Sequence, residues 1–383
     1  MSERATQAIV DLGAVRENAR ALLGTLTPGT LLMAVVKADA YGHGAPPVAR
    51  AALAGGATWL GVACVDEGVT LRQAGIAAPL LVLGPVLAPE FPAAVAHHLT
   101  LALASPAMAG ELARAAEARG QWAAAHIEVD SGMNRHGVLP ADLPDLLKVV
   151  RQLPSLRLGG LFTHFACAES PAHPTNEQQL RALLAAREAA MELGFGPLLA
   201  HAANSAASLF LRRTHLDMVR AGIALYGYPP ERQEASDPLP GPPLPTLRPA
   251  LTWRTAVARR WTLQPGEGVS YGLTYRAQRP TPVALLPVGY GDGLARALSN
   301  RGAAVLVRGR RAPIVGRICM DQTVIDVSDM PEATVGDDVV LIGSQANAWI
   351  GADELGALAG TNSYETLCRI APRVPRRYLC ADG

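Results

Sequence analysis

Leu31-Leu32-Met33-Ala34-Val35-Val36-Lys37-Ala38-Asp39-Ala40-Tyr41-Gly42-His43-Gly44 joins an unbroken apolar run to a polar, glycine-bearing turn. A run that is apolar at every position predicts a strand buried on both faces, as in a covered parallel sheet. The same pattern recurs along the chain, with apolar runs at 31–37, 59–65, 80–83, 99–104, 124–129, 158–164, 198–202 and 216–223. Amphipathic, Ala-rich helical patterns lie between them, at 108–119, 143–153 and 176–193 among others. About eight strand–helix units in a region of this size predict an α/β fold with an N-terminal (β/α)8 TIM barrel rather than an open doubly wound sheet.

The segment 228–249 is crowded with proline (Pro229, Pro230, Pro238, Pro240, Pro242, Pro243, Pro245 and Pro249) and reads as a linker. Beyond it the pattern changes to β-runs and turns at 251–257, 283–288, 304–307, 323–327 and 339–342, with one helical stretch at 352–359. A mostly-β C-terminal domain is expected.

Lys and Arg total 34, yet only Lys37 and Lys148 are lysines. An amine can lose its proton near neutral pH and attack a carbonyl carbon, whereas a guanidinium stays charged. Lys37 is therefore the candidate Schiff-base lysine, with a solvated charge at a strand end as the bland alternative. A formal net charge of +1 leaves no electrostatic footprint for nucleic acid. Charged residues are only 17% of the chain and hydrophobic ones 49%, enough for a large buried core. No apolar stretch is long enough to span a bilayer, and the first seven residues carry no signal-peptide pattern. Five cysteines without metal-type spacing read as reduced thiols in a cytoplasmic protein, and no metal site is expected.

Lys37, Asp130, His164, Asn204 and Arg220 all fall at or just beyond predicted strand ends, on the face where barrel enzymes build their sites. Several of these residues suit pyridoxal phosphate. Asn204-Ser205 precede a helical segment, Gly222-Ile223 end the next strand, and Tyr41 lies near the lysine, all suited to a phosphate. Arg220 could face the pyridine nitrogen. Singly, each has a structural explanation, a helix cap or an ion pair; their recurrence at successive strand ends is the stronger signal.

Over nearly its whole length the chain resembles the alanine racemase family. The resemblance is carried by Val35–Gly44 with its lysine, Asp130-Ser131-Gly132-Met133-Asn134-Arg135, Thr163-His164-Phe165, Ala203-Asn204-Ser205-Ala206 and Val219-Arg220-Ala221-Gly222-Ile223. In the second domain it is carried by Val269-Ser270-Tyr271-Gly272, Gly289-Tyr290-Gly291-Asp292-Gly293, Gly316–Asp321 and Arg373-Val374-Pro375-Arg376. The resemblance implies a barrel over 12–238 and a β-domain over 239–383 joined by the first strand in 1–11. It also implies a head-to-tail homodimer in which the β-domain completes the partner's active site. The implied activity is pyridoxal-phosphate-dependent interconversion of L- and D-alanine, supplying D-alanine for bacterial peptidoglycan.

In that scheme Lys37 holds the cofactor and exchanges a proton on one face, and Tyr271 of the partner subunit serves the other. A phenol normally titrates near 10, so the family's chain from the tyrosine through His164 to Arg220 assists it. Tyr41, Asn204, Ser205, Gly222, Ile223 and Tyr364 are implied around the phosphate, and Arg135 and the partner's Met320 N–H at the substrate carboxylate. Tyr290 narrows the entrance with Tyr364, and Cys319 and Asp321 flank it.

Many members carry a carbamylated lysine seven residues before the substrate arginine. Here Glu128 stands there, a permanent carboxylate expected to replace that function, with a bridging water or another cation as alternatives to direct contact with Arg135. Competing readings are a basic-amino-acid decarboxylase of the same architecture, a non-catalytic pyridoxal-phosphate carrier, and a racemase that also takes serine. Arg220, in place of an acidic partner, and the context of Cys319 argue against the first; Tyr271 argues against the second.

Overall fold

The computed structural model describes residues 4–233 and 243–380. Pro238, Pro240, Pro242 and the expected boundary between 238 and 239 lie outside the described residues. The chain forms two compact units: one of Ala14–Ala40 with Ala45–Arg248, the other of the residues up to Gly13, Tyr41–Gly44 and those from Pro249 onward.

Strand β1 (Gln7–Asp11) belongs to the second unit. The first unit is built on β2 (Leu31–Val35), β3 (Trp59–Val62), β4 (Leu80–Val82), β5 (Thr100–Leu103), β6 (Ala123–Glu128), β7 (Leu156–Phe162), β8 (Leu199–His201) and β9 (Met218–Ala221). These eight pair in parallel in the order β8-β7-β6-β5-β4-β3-β2-β9, a nearly closed barrel. Each expected apolar run overlaps one of them.

Closure between β8 and β9 is sparse. Asp217 N–H donates to the Ala200 carbonyl (3.1 Å), the Ala200 N–H to the Asp217 carboxylate (2.8 Å), and the Arg220 N–H to the Ala203 carbonyl (2.9 Å). Inside the barrel, Met33, Leu81, Ala102, Phe162 and Met218 pack as one buried cluster. The helices Pro106–Glu117 and Pro174–Glu192 each begin two residues before the expected start. Proline occupies the first helical position, where no intrahelical donor is lost, and Ser105 and His173 cap the two starts.

The second unit contains a seven-stranded sheet in the order Arg310–Pro313, Ala304–Val307, Asp338–Gln345, Leu251–Ala256, β1 and Arg376–Leu379, with Ala348–Ile350 paired to Asp338–Gln345. β1 runs antiparallel to Leu251–Ala256 and parallel to Arg376–Leu379. A three-stranded sheet (Arg259–Leu263, Thr281–Leu286, Thr323–Asp326) and the helix Ala352–Ala359 accompany it. Arg259–Leu263 and Arg310–Pro313 escaped the sequence pattern because each opens with two exposed arginines and buries a single residue, so neither has a periodic apolar face.

Candidate active site

On the barrel, β2 delivers Lys37 at its C-terminal end, half-buried. The next four residues, Ala38 to Tyr41, all have φ between 51° and 55°, and the turn 38–40 is left-handed in ψ as well. None is glycine, so the turn carries strain of about 1–2 kcal/mol per residue. Hydrogen bonds hold it: Glu67 accepts from the Ala38 N–H (2.6 Å) and the Ala63 N–H (2.8 Å), and Asp39 accepts from the Ala45 N–H (2.7 Å). Backbone strain of this kind clusters at functional sites, and here it adjoins the candidate lysine. Lys148 pairs with Asp145 on an exposed helix face.

Arg220, at the end of β9, is 3% exposed. One terminal nitrogen donates to Nδ1 (2.9 Å) and the carbonyl (3.0 Å) of His201. The other donates to the carbonyls of Thr163 (2.7 Å) and Ala202 (3.0 Å), with His164 Nδ1 at 3.4 Å. The terminal N–H groups are thus committed to protein acceptors, leaving Nε–H as the donor with no hydrogen-bonded acceptor among the described residues. Burial lowers the guanidinium to about 10, Glu128 opposing, so it stays charged at neutral pH. Burial, with Arg220, Arg135 and Lys37 adding, pushes His164 down to about 3 and keeps it neutral.

Asn204 caps the helix Ser205–Phe210 by accepting from the Ala207 N–H (2.9 Å), which fixes where Ser205 stands. The Ser205 hydroxyl accepts from the N–H groups of Gly222 (2.9 Å) and Ala224 (3.4 Å), so two short helical starts converge on it. Arg135 is exposed on a loop whose shape Asp130 sets by accepting from Gly132 N–H (3.1 Å) and Asn134 N–H (2.9 Å). Glu128 is buried, and its carboxylate meets His136 Nδ1 at 2.7 Å. Among the described residues no hydrogen bond or ion pair joins Glu128 to Arg135.

The second unit assembles a different set. Ser270–Leu273 and Cys319–Gln322 line a depression of about 690 Å³. Tyr271 is 72% exposed there and Met320 54%. Tyr271 follows Ser270, whose φ of 63° and ψ of −174° is a conformation otherwise left to glycine. The Ser270 hydroxyl donates to the Arg317 carbonyl and contacts Cys319 Sγ (3.1 Å).

The glycine-rich turn 289–293 grips the opposite loop. Tyr290 N–H donates to the Cys319 carbonyl (3.0 Å) and Gly291 N–H to that of Met320 (2.8 Å). A Cβ at Gly289 would stand 2.2 Å from the Cys319 oxygen, so only glycine allows this approach. Buried Asp292 accepts from Arg4 (2.6 Å) and Arg373 (2.8 Å), and Arg373 also donates to Asp321 (2.6 Å). Tyr41 and Tyr364 lie with ring centroids 6.1 Å apart. Burial, then Tyr364 and Cys368, pushes the Tyr41 phenol well above its ordinary value.

Within the barrel unit the structure therefore joins Arg220 to His164, and Ser205 to Gly222. Within the second unit it joins Tyr271, Cys319, Met320 and Asp321, and Tyr41 to Tyr364. Sequence reasoning missed Glu67, His126, His136 and His201 as organisers, because no quoted motif contains them and the fold chooses their partners, and it gave Arg373 no role. Asp39 and Asp292 stood inside quoted motifs without an assigned role.

A lysine and a buried arginine at the C-terminal ends of parallel barrel strands are the arrangement on which barrel enzymes build active sites. Residues 10–230 match the model of the alanine racemase N-terminal domain, and 250–378 that of the C-terminal domain. The chain is 47% identical to an alanine racemase of Symbiobacterium thermophilum, covering 98% of this chain and 97% of that protein. It is 44% identical to one from Desulfovibrio desulfuricans, covering 98% and 99%. The crystal structure of alanine racemase from Streptomyces lavendulae superposes with a TM-score of 0.92 at 38% identity, covering 100% of this chain and 98% of that one. The chain belongs to the alanine racemase family, whose members are isomerases acting on an amino acid.

Proposed function

We propose that the protein racemises L- and D-alanine with pyridoxal phosphate through two bases, as a homodimer with shared sites. The observation that carries this reading is Arg220, a buried, permanently charged guanidinium with only Nε–H left to give. The residues fit the cofactor. Lys37 supplies the amine, the Ser205 hydroxyl and the Ile223 N–H supply phosphate donors while the Gly222 N–H holds the Ser205 oxygen beside them, and Arg220 offers the pyridine nitrogen a donor that cannot accept. Tyr41 and Tyr364 supply phenols for the phosphate, and Asn204 sets the helix start. When bound, the cofactor provides a conjugated system that takes up the electron pair left at the α-carbon as its proton departs.

Lys37 Nζ holds the cofactor and then exchanges the α-proton on the face leading to D-alanine. Tyr271 of the partner subunit exchanges it on the other. His164 explains how a phenol can act there. Its Nδ1 faces a guanidinium that only donates, so Nε2 carries the proton and can donate to the phenolate oxygen, favouring the base form. Arg135 and the partner's Met320 N–H take the substrate carboxylate, and Tyr290 and Tyr364 leave room for a small side chain. A donor-only Arg220 keeps the pyridine nitrogen unprotonated, which weakens the electron sink and disfavours transamination.

Support for a shared site is the 72% exposure of Tyr271 on a strained turn. Family membership supports a role in making D-alanine for peptidoglycan, and cysteines that form no disulfide among the described residues fit a reducing, cytoplasmic setting. Deuterium uptake from D2O decides the scheme. Wild type exchanges the α-proton of both enantiomers, and Tyr271→Phe loses exchange on L-alanine. Equal exchange of L-alanine by wild type and Tyr271→Phe would remove the tyrosine from the mechanism.

A further inference from the structure

Beneath the site the barrel buries two histidines that the proposed reaction does not use. His126 is 1% exposed and His201 0%. His126 Nδ1 lies 2.9 Å from His201 Nε2, and His201 Nδ1 lies 2.9 Å from an Arg220 terminal nitrogen. The barrel has given up regular structure to admit them. The β6–β7 register shifts between Ala125 and His126, and β7 carries Gly159-Gly160 opposite the ring. A Cβ at Gly160 would stand 2.8 Å from both Nδ1 and Cε1 of His126, so no larger residue fits. Phe162 stacks on His201 at 4.8 Å and 6°, fixing its plane.

Hydrogen-bond chemistry gives the row a single polarity. A guanidinium can only donate, so His201 Nδ1 must be a bare acceptor. A neutral imidazole with a bare Nδ1 carries its proton on Nε2, and that N–H points at His126 Nδ1. His126 Nδ1 is then bare as well, and its own proton sits on Nε2. Burial, reinforced by Arg220, pushes His126 down to about 4 and His201 well below its ordinary range, so both rings are neutral.

We infer that His126 is a positioning residue for the reaction: as the terminal acceptor of this row it holds His201 in the tautomer that orients Arg220. The inference rests on the reading that Arg220 serves the pyridine nitrogen. Without an acceptor at His126, the buried His201 N–H is left unmet. The ring gains by turning toward another partner, and Arg220 then loses its Nδ1 acceptor.

Long-range nitrogen–proton correlation spectra of the 15N-histidine-labelled holoenzyme test the row directly near neutral pH. Both rings should show bare Nδ1 and protonated Nε2. His126→Leu should shift the His201 signals and lower kcat roughly tenfold, with KM for L-alanine within about twofold. His126→Asn, whose side-chain oxygen can replace the lost acceptor, should restore kcat to within about threefold of wild type. An Nδ1-protonated form of either ring, or a His126→Leu enzyme with unchanged kcat and unchanged His201 signals, overturns the inference. Should His126→Leu not fold, the wild-type spectrum still decides. The spectra need no turnover: predicted tautomers in a protein without racemase activity would refute the proposed function and leave the row standing.

Discussion

The barrel and the second unit present their candidate functional groups in opposite physical styles. In the barrel, Arg220 and His201 are buried and their polar nitrogens are oriented by hydrogen bonds. In the second unit, Tyr271, Met320 and Tyr290 are exposed, at 72%, 54% and 41%, and what is fixed is the backbone beneath them. A buried group can be oriented by its neighbours because no water competes for its bonds. An exposed group must be placed by its turn, so the strain sits in Ser270 and the close approach in Gly289. The difference teaches where mutations will hurt. Changes in the barrel set should cost stability and activity together, whereas changes in the exposed set should cost activity alone.

The largest effect expected is that of Lys37→Ala. It should abolish the Schiff-base absorbance of the bound cofactor and lower racemisation by at least about 10³-fold. A retained absorbance band would move the anchor elsewhere. Tyr271→Phe comes next, with a loss of about 10²–10⁴-fold in α-proton exchange from L-alanine. Because the substitution removes only a hydroxyl, the melting temperature should stay at the wild-type value; a large drop would blur the contrast between the two units.

Acid should expose the barrel's buried imidazoles. His126 has its folded value near 4 and His164 near 3, against an ordinary 6.5. Below about pH 6.5 the unfolded chain takes up protons that the folded chain refuses. Stability is therefore full above 6.5 and falls as pH drops toward the folded values, by ~1.4 kcal/mol per pH unit for each ring. Denaturant titrations between about pH 7 and 5 measure the slope, and His126→Asn should remove one ring's share. A flat profile would mean that these rings are charged in the folded protein.

The smallest effect expected is that of Glu128→Gln. It keeps the shape and a hydrogen bond to His136 but removes the charge, for a loss of about 1 kcal/mol and a rise of roughly two- to fivefold in KM for alanine. Calorimetry and steady-state kinetics check both. Activity that rose with added bicarbonate would speak against a permanent carboxylate doing this work.

The barrel was legible in the sequence because covered parallel strands read as near-continuous apolar runs, and about eight of them alternate with helical patterns. Arg310–Pro313 and Arg376–Leu379 were not legible, since their pairing partners rather than their own composition make them strands. Lys37 stood out by scarcity, and Tyr271 through the resemblance. Glu67 was invisible: nothing local tells that its carboxylate will bridge two N–H groups across a turn.

By itself, the order of residues determined the alternation of strand and helix, a lysine at a strand end and the family's motifs, because these depend on local pattern. Only the tertiary structure decided that Glu128 meets His136, that Asp292 anchors Arg373, and that two distant histidines form one directed row behind Arg220. Those pairings join residues up to 81 positions apart. Their existence depends on barrel closure and sheet register, which no single segment encodes.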